Sequence, residues 1–121
     1  MSDNPRQDLA ARAFALAEVM FKLYSRLAAT SRAHAHLADQ LFRAVTSIGA
    51  HIEEGLAASS RRDMAFKYSV ALRESREGNY WSRLGATDPR WTAELAPISQ
   101  ETREFVAMLT ASVKKLRLPP A

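Results

Sequence analysis

The chain has 121 residues, 47% of them hydrophobic and 25% charged, with only 4 Gly and 5 Pro; this suits one folded domain around one core and excludes a polar, disordered polymer. There is no Cys, so disulfides, thiolate metal sites and cysteine nucleophiles are excluded. The formal net charge of +4 permits contact with nucleic acid without demanding it.

Residues 1–5 lack the basic region and apolar run of a secretory signal, and no uninterrupted apolar segment approaches the ~20 residues that span a bilayer, so a cytoplasmic protein with no membrane partner is expected. Alternating strand patterns and Asn-Gly or Asp-Gly hairpins are not found, whereas helical periodicity is present throughout. The spacing predicts a first helix over 8–29, with Leu9, Leu16, Met20, Leu23 and Leu27 on one stripe and Phe14, Phe21 and Tyr24 widening it into a broad core-facing surface. Ala29-Thr30-Ser31-Arg32 suits a connection or a cap, which leaves His34 and His36 in a connecting region. A second helix over 35–57 carries Leu37, Leu41, Ala44, Val45, Ile48 and Ile52 at the alternating three and four steps of bundle helices.

Ser60-Arg61-Arg62-Asp63 has the spacing in which a Ser side chain accepts a hydrogen bond from an orphan amide, so a third helix is predicted over 61–84, with Gly85 ending it in a left-handed cap and Asp88-Pro89 turning the chain. A fourth helix, 90–117, repeats the seam at Trp91, Leu95, Ile98, Thr102, Phe105, Leu109, Val113 and Leu116. Pro97 predicts either a kink or a separate short turn before it, and Leu118-Pro119-Pro120-Ala121 cannot continue the helix. Four helices with short links predict an all-α, single-domain, antiparallel up-down-up-down bundle; a three-helix array with a swapped fourth is the alternative.

The third helix has more than one apolar face. Met64, Tyr68, Ala71, Ser75, Gly78 and Ser82 share one side, while Phe66, Val70, Trp81 and Leu84, with Tyr80 beside them, form a second strip roughly opposite. One bundle cannot readily cover both, and monomers rarely leave large apolar patches in water, so the second strip is expected to form an interface between identical chains unless the bundle twists enough to bury it. Arg62, Arg73, Arg76 and Arg83 lie within about 80° of one another on a helix of 3.6 residues per turn, with Arg61 and Lys67 flanking them. Residues 61–85 carry a net +3 and residues 36–60 a net −2. Such an arc can pair with phosphates, or its arginines can bridge to Glu74, Glu77, Glu53 or Glu54.

Chemistry-bearing motifs are few. The Glu-x-x-His pairs of di-iron bundles do not occur, His34 and His36 are poorly spaced for a shared metal, and His51 sits among seam residues as a hydrogen-bonded packing group. Glu74 and Glu77 share a face that would suit an acid–base pair, and without a pocket signal they read as ion-pair partners. Gly-rich phosphate loops, nucleophile elbows and zinc-peptidase motifs are missing. A non-enzyme without cofactor or metal is expected.

The combination of Arg43-Ala44, Ser47-Ile48-Gly49-Ala50-His51-Ile52-Glu53-Glu54, the Ser60 to Met64 helix start and Ala71-Leu72-Arg73-Glu74-Ser75-Arg76-Glu77 followed by Tyr80-Trp81 resembles the bacterial four-helix bundle proteins also known as ribosomal-RNA intervening-sequence proteins. The resemblance covers about residues 9–117. His51 stands where that family usually has Asn, Met64 where it has Phe, and Arg73 and Ser75 where Lys and Ala are common. It implies an antiparallel four-helix bundle assembled into rings of five, with no established biochemical role. A related branch, the accessory variability determinants of diversity-generating retroelements, implies basic pentamers that bind a reverse transcriptase and nucleic acid. The resulting expectation is a homo-oligomer, a pentamer on the family pattern, that binds RNA or DNA through Arg61, Arg62, Lys67, Arg73, Arg76 and Arg83 and holds its subunits together through Phe66, Val70, Tyr80, Trp81 and Leu84. The alternative is a scaffold or adaptor that presents grooves to another protein and uses its arginines structurally.

Overall fold

The computed structural model describes residues 5–119, with side chains from residue 8 onward; the readings of residues 1–4 and of Pro120-Ala121 lie outside them. Four helices follow one another, α1 (Pro5–Ala28), α2 (Arg32–Leu56), α3 (Arg61–Ala86) and α4 (Thr92–Leu116), and each packs against the next in an antiparallel four-helix bundle. The fourth helix returns to its own chain, so no swap is needed to complete the core.

Each boundary has a local cause. Pro5 stands at the first helical position of α1, where its missing amide N–H costs nothing. Ser31 has extended backbone and accepts a hydrogen bond from the His34 amide at 3.1 Å, so α2 begins at Arg32 and His34 and His36 lie in its first turns rather than in a connection. Ser60 accepts from the Asp63 amide at 3.0 Å, as the Ser-x-x-Asp spacing predicts. Gly85 does not end α3. It has no left-handed backbone and is buried inside the helix, because a Cβ there would lie 2.4 Å from Leu95 Cδ1 and 3.1 Å from Leu37 Cδ2: the glycine is needed for close approach of α2 and α4, not for a turn. Pro97 lies inside a single continuous α4, so there is no separate turn before it.

The core is a continuous cluster from all four helices, with Met20, Leu27, Leu41, Ile48, Ile52, Tyr68, Leu95, Phe105 and Leu109 almost wholly removed from water. Hydroxyls and an amide between α3 and α4 pair with one another: Ser99 Oγ donates to Ser82 Oγ at 2.9 Å, and Asn79 Nδ2 donates to the Ser99 carbonyl at 2.9 Å. The α1 and α4 backbones do not approach as closely as the other neighbouring pairs, and long side chains close that side. Arg12 pairs with Glu101 at 2.6 Å and lies over the Phe105 ring, Arg26 pairs with Glu94 at 2.7 Å, and Trp91 Nε1 donates to Thr30 Oγ1 at 3.2 Å.

One packing expectation fails. Phe14 and Phe21, read as widening the core stripe, are 62% and 71% exposed. Each stands two residues from a core leucine, Leu16 or Leu23, and therefore about 160° around the helix from it. Where α1 meets α2, the built Cβ of Gly49 would touch Ala13 Cβ at 3.5 Å; contact that close leaves no opening for the outer rings to enter. Phe21 lies 6.3 Å from the Phe42 ring, which Tyr24 meets edge-on at 5.2 Å.

Candidate interaction surfaces on the third helix

The basic arc survives folding because its obvious neutralisers are engaged elsewhere. Arg43 of α2 reaches across to α3, with Nη1 3.2 Å from Glu74 and Nη2 2.6 Å from Glu77. Those two carboxylates are the acids nearest in sequence to Arg73 and Arg76. Among the described residues Arg62, Arg73 and Arg76 make no ion pair or side-chain hydrogen bond, and all three are exposed. Glu74 itself is buried, with 8% of its side chain accessible, so Arg43 is its necessary counter-charge.

The flanking cations behave differently. Arg61 is occupied in capping the neighbouring helix: its Nε donates to the Leu116 carbonyl at 3.0 Å and its Nη2 to the Lys115 carbonyl at 2.8 Å, orphan acceptors at the negative end of α4. Lys67 pairs with Glu54 at 3.2 Å and stands over the Phe66 ring, while Arg83 donates from Nε to Asn79 Oδ1 at 2.9 Å and covers Tyr80.

Two cations that sequence reading passed over extend the arc onto α4 and the residue that caps its end. The antiparallel register, fixed where Asn79 meets Ser99 and Arg61 meets Leu116, sets Arg76 opposite Arg103 and Arg62 opposite Arg117. Arg62 and Arg117, with Arg61, line a hollow of about 560 Å³ between the start of α3 and the end of α4. The signal for them was available only jointly, from α4 periodicity together with an antiparallel pairing to α3.

Of the expected subunit-contact residues, Phe66, Tyr80 and Leu84 are exposed at 58%, 53% and 47%. Val70 and Trp81 are half-buried. Trp81 packs edge-on against Tyr80 and against His36 of α2, and its indole Nε1–H is buried with no acceptor among the described residues. Trp81, Leu84 and Gly85 line one wall of a largely apolar groove of about 830 Å³, and Ala33, His36 and Leu37 of α2 line the other.

At the rim of that groove, His34 Nε2 contacts Asp88 Oδ2 at 2.8 Å and its Nδ1 contacts Ser31 Oγ at 2.6 Å, tying the start of α2 to the α3–α4 loop. Arg90, through side-chain and backbone hydrogen bonds and with His34 adding to them, holds the Asp88 carboxyl well below the usual carboxylate range. His51 is half-buried, and its Nδ1 lies 2.9 Å from the Ser47 carbonyl; a carbonyl only accepts, so Nδ1 carries the proton. Among the described residues no group of three or more His, Cys, Asp or Glu is placed to hold a metal ion, and no helix is long and apolar enough to cross a membrane.

Comparison with known proteins bears on this fold directly. No curated protein matches the chain. A crystal structure from Bacteroides thetaiotaomicron, of a protein with unknown function from the S23 ribosomal protein family, is 28% identical, covers 88% of this chain and 98% of its own, and superposes with a TM-score of 0.78. The sequence matches the family described as 23S rRNA-intervening sequence protein over residues 6–111, most of its length and all of the α3 surface described above. The chain belongs to the 23S rRNA-intervening sequence protein family.

Proposed function

We propose that the chain is a non-catalytic bundle that self-assembles, as the ring of five suggested by the family resemblance, and binds nucleic acid by its phosphates along the α3–α4 side. One observation carries the nucleic-acid reading: Arg73 and Arg76 are exposed and, among the described residues, unpaired, because Arg43 holds Glu74 and Glu77. Guanidinium groups with open donor forks are suited to phosphate oxygens. Arg62, Arg83, Arg103 and Arg117 lengthen the basic side to most of the bundle, and repetition around a ring would multiply a modest affinity through avidity. Self-assembly is supported by the exposed strip of Phe66, Tyr80 and Leu84, which one bundle leaves in water.

The test is fluorescence anisotropy with labelled RNA and DNA, single-stranded and duplex, titrated from about 50 to 200 mM salt. Binding should weaken steeply over that range. Replacing both residues, Arg73→Ala with Arg76→Ala, should weaken it for all sequences alike and lower the log–log salt slope by about one per contact removed, with particle size unchanged. Absence of binding at low salt overturns the reading and leaves a protein-binding adaptor in its place.

A further inference from the structure

Ser31 does more than cap α2. Its Oγ accepts from the His34 amide at 3.1 Å, which uses the oxygen as an acceptor and leaves the hydroxyl proton free to be donated. The His34 ring determines where that proton points. Asp88 Oδ1 accepts from the Arg90 amide at 3.0 Å and from Arg90 Nε at 3.2 Å, and Oδ2 accepts from Arg90 Nη2 at 2.8 Å, so the carboxyl is held ionised and can only accept. His34 Nε2, 2.8 Å from Oδ2, therefore carries a proton. In the neutral imidazole Nδ1 is then the acceptor, and Ser31 Oγ donates to it across 2.6 Å. Hydroxyl, imidazole and carboxylate form a relay whose hydrogen bonds all run one way, the arrangement that makes a serine oxygen nucleophilic. The two ring nitrogens exchange the roles they take in serine proteases, with no change in the proton path.

We propose that Ser31 is an activated nucleophile that takes an acyl group from an activated ester or thioester with an apolar acyl chain, with His34 as its base. Three features of the surroundings suit that chemistry. The nucleophile is reachable and its base is sheltered: Ser31 is exposed, whereas His34 and Asp88 are half-buried. An apolar groove of about 830 Å³ adjoins it. His34 and Asp88 line that groove, and Ser31 immediately precedes Arg32 and Ala33, which line it too, so an acyl chain lying against Leu37, Trp81 and Leu84 can bring its carbonyl to the serine. Donors for the carbonyl oxygen are also at hand. Among the described residues the exposed Arg32 guanidinium has no ion pair, and the amides of Arg32 and Ala33, in the first turn of α2, have no intrahelical acceptor, so they can meet the negative charge that develops on that oxygen.

In the transfer, Ser31 Oγ bonds to the acyl carbonyl carbon while its proton passes to His34 Nδ1, and Asp88 stabilises the imidazolium from the other side of the ring. The tetrahedral centre then collapses. The bond to the leaving oxygen or sulfur breaks, and the leaving group departs with the proton from Nδ1. One ester forms on the chain as one ester or thioester is broken, so no oxidant, reductant or further reactant is needed. The chain is consumed as the acceptor, which is a modification rather than a turnover, and the step is independent of self-assembly and of the arginines on α3.

The experiment incubates the full chain with p-nitrophenyl butyrate, follows release of p-nitrophenolate, and locates the acyl group by peptide mass spectrometry. The folded chain should be butyrylated on Ser31, and the urea-unfolded chain should not. Butyrate should react about tenfold faster than p-nitrophenyl acetate, because its longer chain is buried in the groove. His34→Ala keeps the backbone amide that Ser31 caps, so its circular dichroism should match wild type while acylation slows by about 100-fold or more. If that variant unfolds, His34→Phe retains the bulk of the ring and should show the same loss. Asp88→Asn should slow the reaction and Asp88→Glu should recover part of the rate, as expected of a positioning carboxylate. Acyl groups on lysines with Ser31 unmodified, or a folded His34 variant that reacts at the wild-type rate, overturn the proposal and leave self-assembly and nucleic-acid binding untouched. Continuous p-nitrophenolate release that requires Ser31 supports the nucleophile and overturns the non-catalytic reading instead.

Discussion

Arg43→Ala should lower stability and weaken nucleic-acid binding together, although Arg43 lies on α2 and not on the basic side. The Glu74 side chain is 8% accessible and the Arg43 side chain 50%. Stripping the partner from a fully buried ion pair costs about 3–5 kcal/mol, whereas an exposed pair is worth about 0.2–1 kcal/mol; a buried carboxylate facing a half-exposed guanidinium falls between, at about 1–2 kcal/mol. Loss of the more exposed Glu77 contact at 2.6 Å adds a few tenths on the surface-pair scale. For a domain of this size the melting temperature should drop by about 5 °C or more at fixed protomer concentration. Adding Glu74→Gln to the Arg43→Ala background should recover part of the loss, because the amide removes the orphaned charge, and a double-mutant cycle isolates that coupling. The binding effect has its own geometry. Once released, Glu77 lies four residues beyond Arg73, within reach for a same-helix ion pair, so the salt slope of RNA or DNA binding should fall by up to about one. Coupling between positions 43 and 74 below about 0.3 kcal/mol, or an unchanged salt slope, would refute this account of how the arginines are kept free.

Four further outcomes are expected. Gly49→Ala should stabilise by about 0.5–1 kcal/mol in urea titrations, since it removes a helix-interior glycine and its Cβ meets Ala13 at an ordinary 3.5 Å. Gly55→Ala should instead lose about 1–2 kcal/mol, because its Cβ would stand 2.5 Å from Cε1 of the buried Tyr68 ring and overpacking outweighs the helical gain. Because the folded state depresses the Asp88 carboxyl, chiefly through Arg90, its contribution is complete above the ordinary carboxylate range and disappears as pH falls through the lower native value. Asp88→Asn should therefore be less stable than wild type at neutral pH, with the gap closing in strong acid, as followed by thermal melts across pH. Ser60→Ala should cost about 1 kcal/mol and speed amide exchange in the first turn of α3.

What was legible in the sequence was what apolar spacing alone controls. The seam residues Leu41, Val45, Ile48 and Ile52 of α2 are all buried, because in a helix a stripe at 3.6-residue spacing can be satisfied only by facing its neighbours. The second strip on α3 was legible for the same reason, since Phe66 and Leu84 share no face with Tyr68. The misread positions depended on how two backbones meet. Phe14 and Phe21 looked like core because hydrophobicity ignores the closeness of Ala13 to Gly49, and Gly85 looked like a cap because glycine at a helix end most often is one. Pairings across helices were hidden too: the interhelical register that joins Arg43 to Glu74 and Glu77, or Arg61 to the end of α4, is a product of packing and leaves no local trace.

The seam between the first and last helices has a dynamic consequence. Its backbones stand farther apart than those of any other adjacent pair, and its rim is stitched by the Arg12 and Arg26 ion pairs, which water screens. Sub-global opening follows the weakest boundary, so the N-terminal helix should lift away as a unit before the remaining three separate. Deuterium should then enter α1 first, and raising ionic strength should widen its lead over α3.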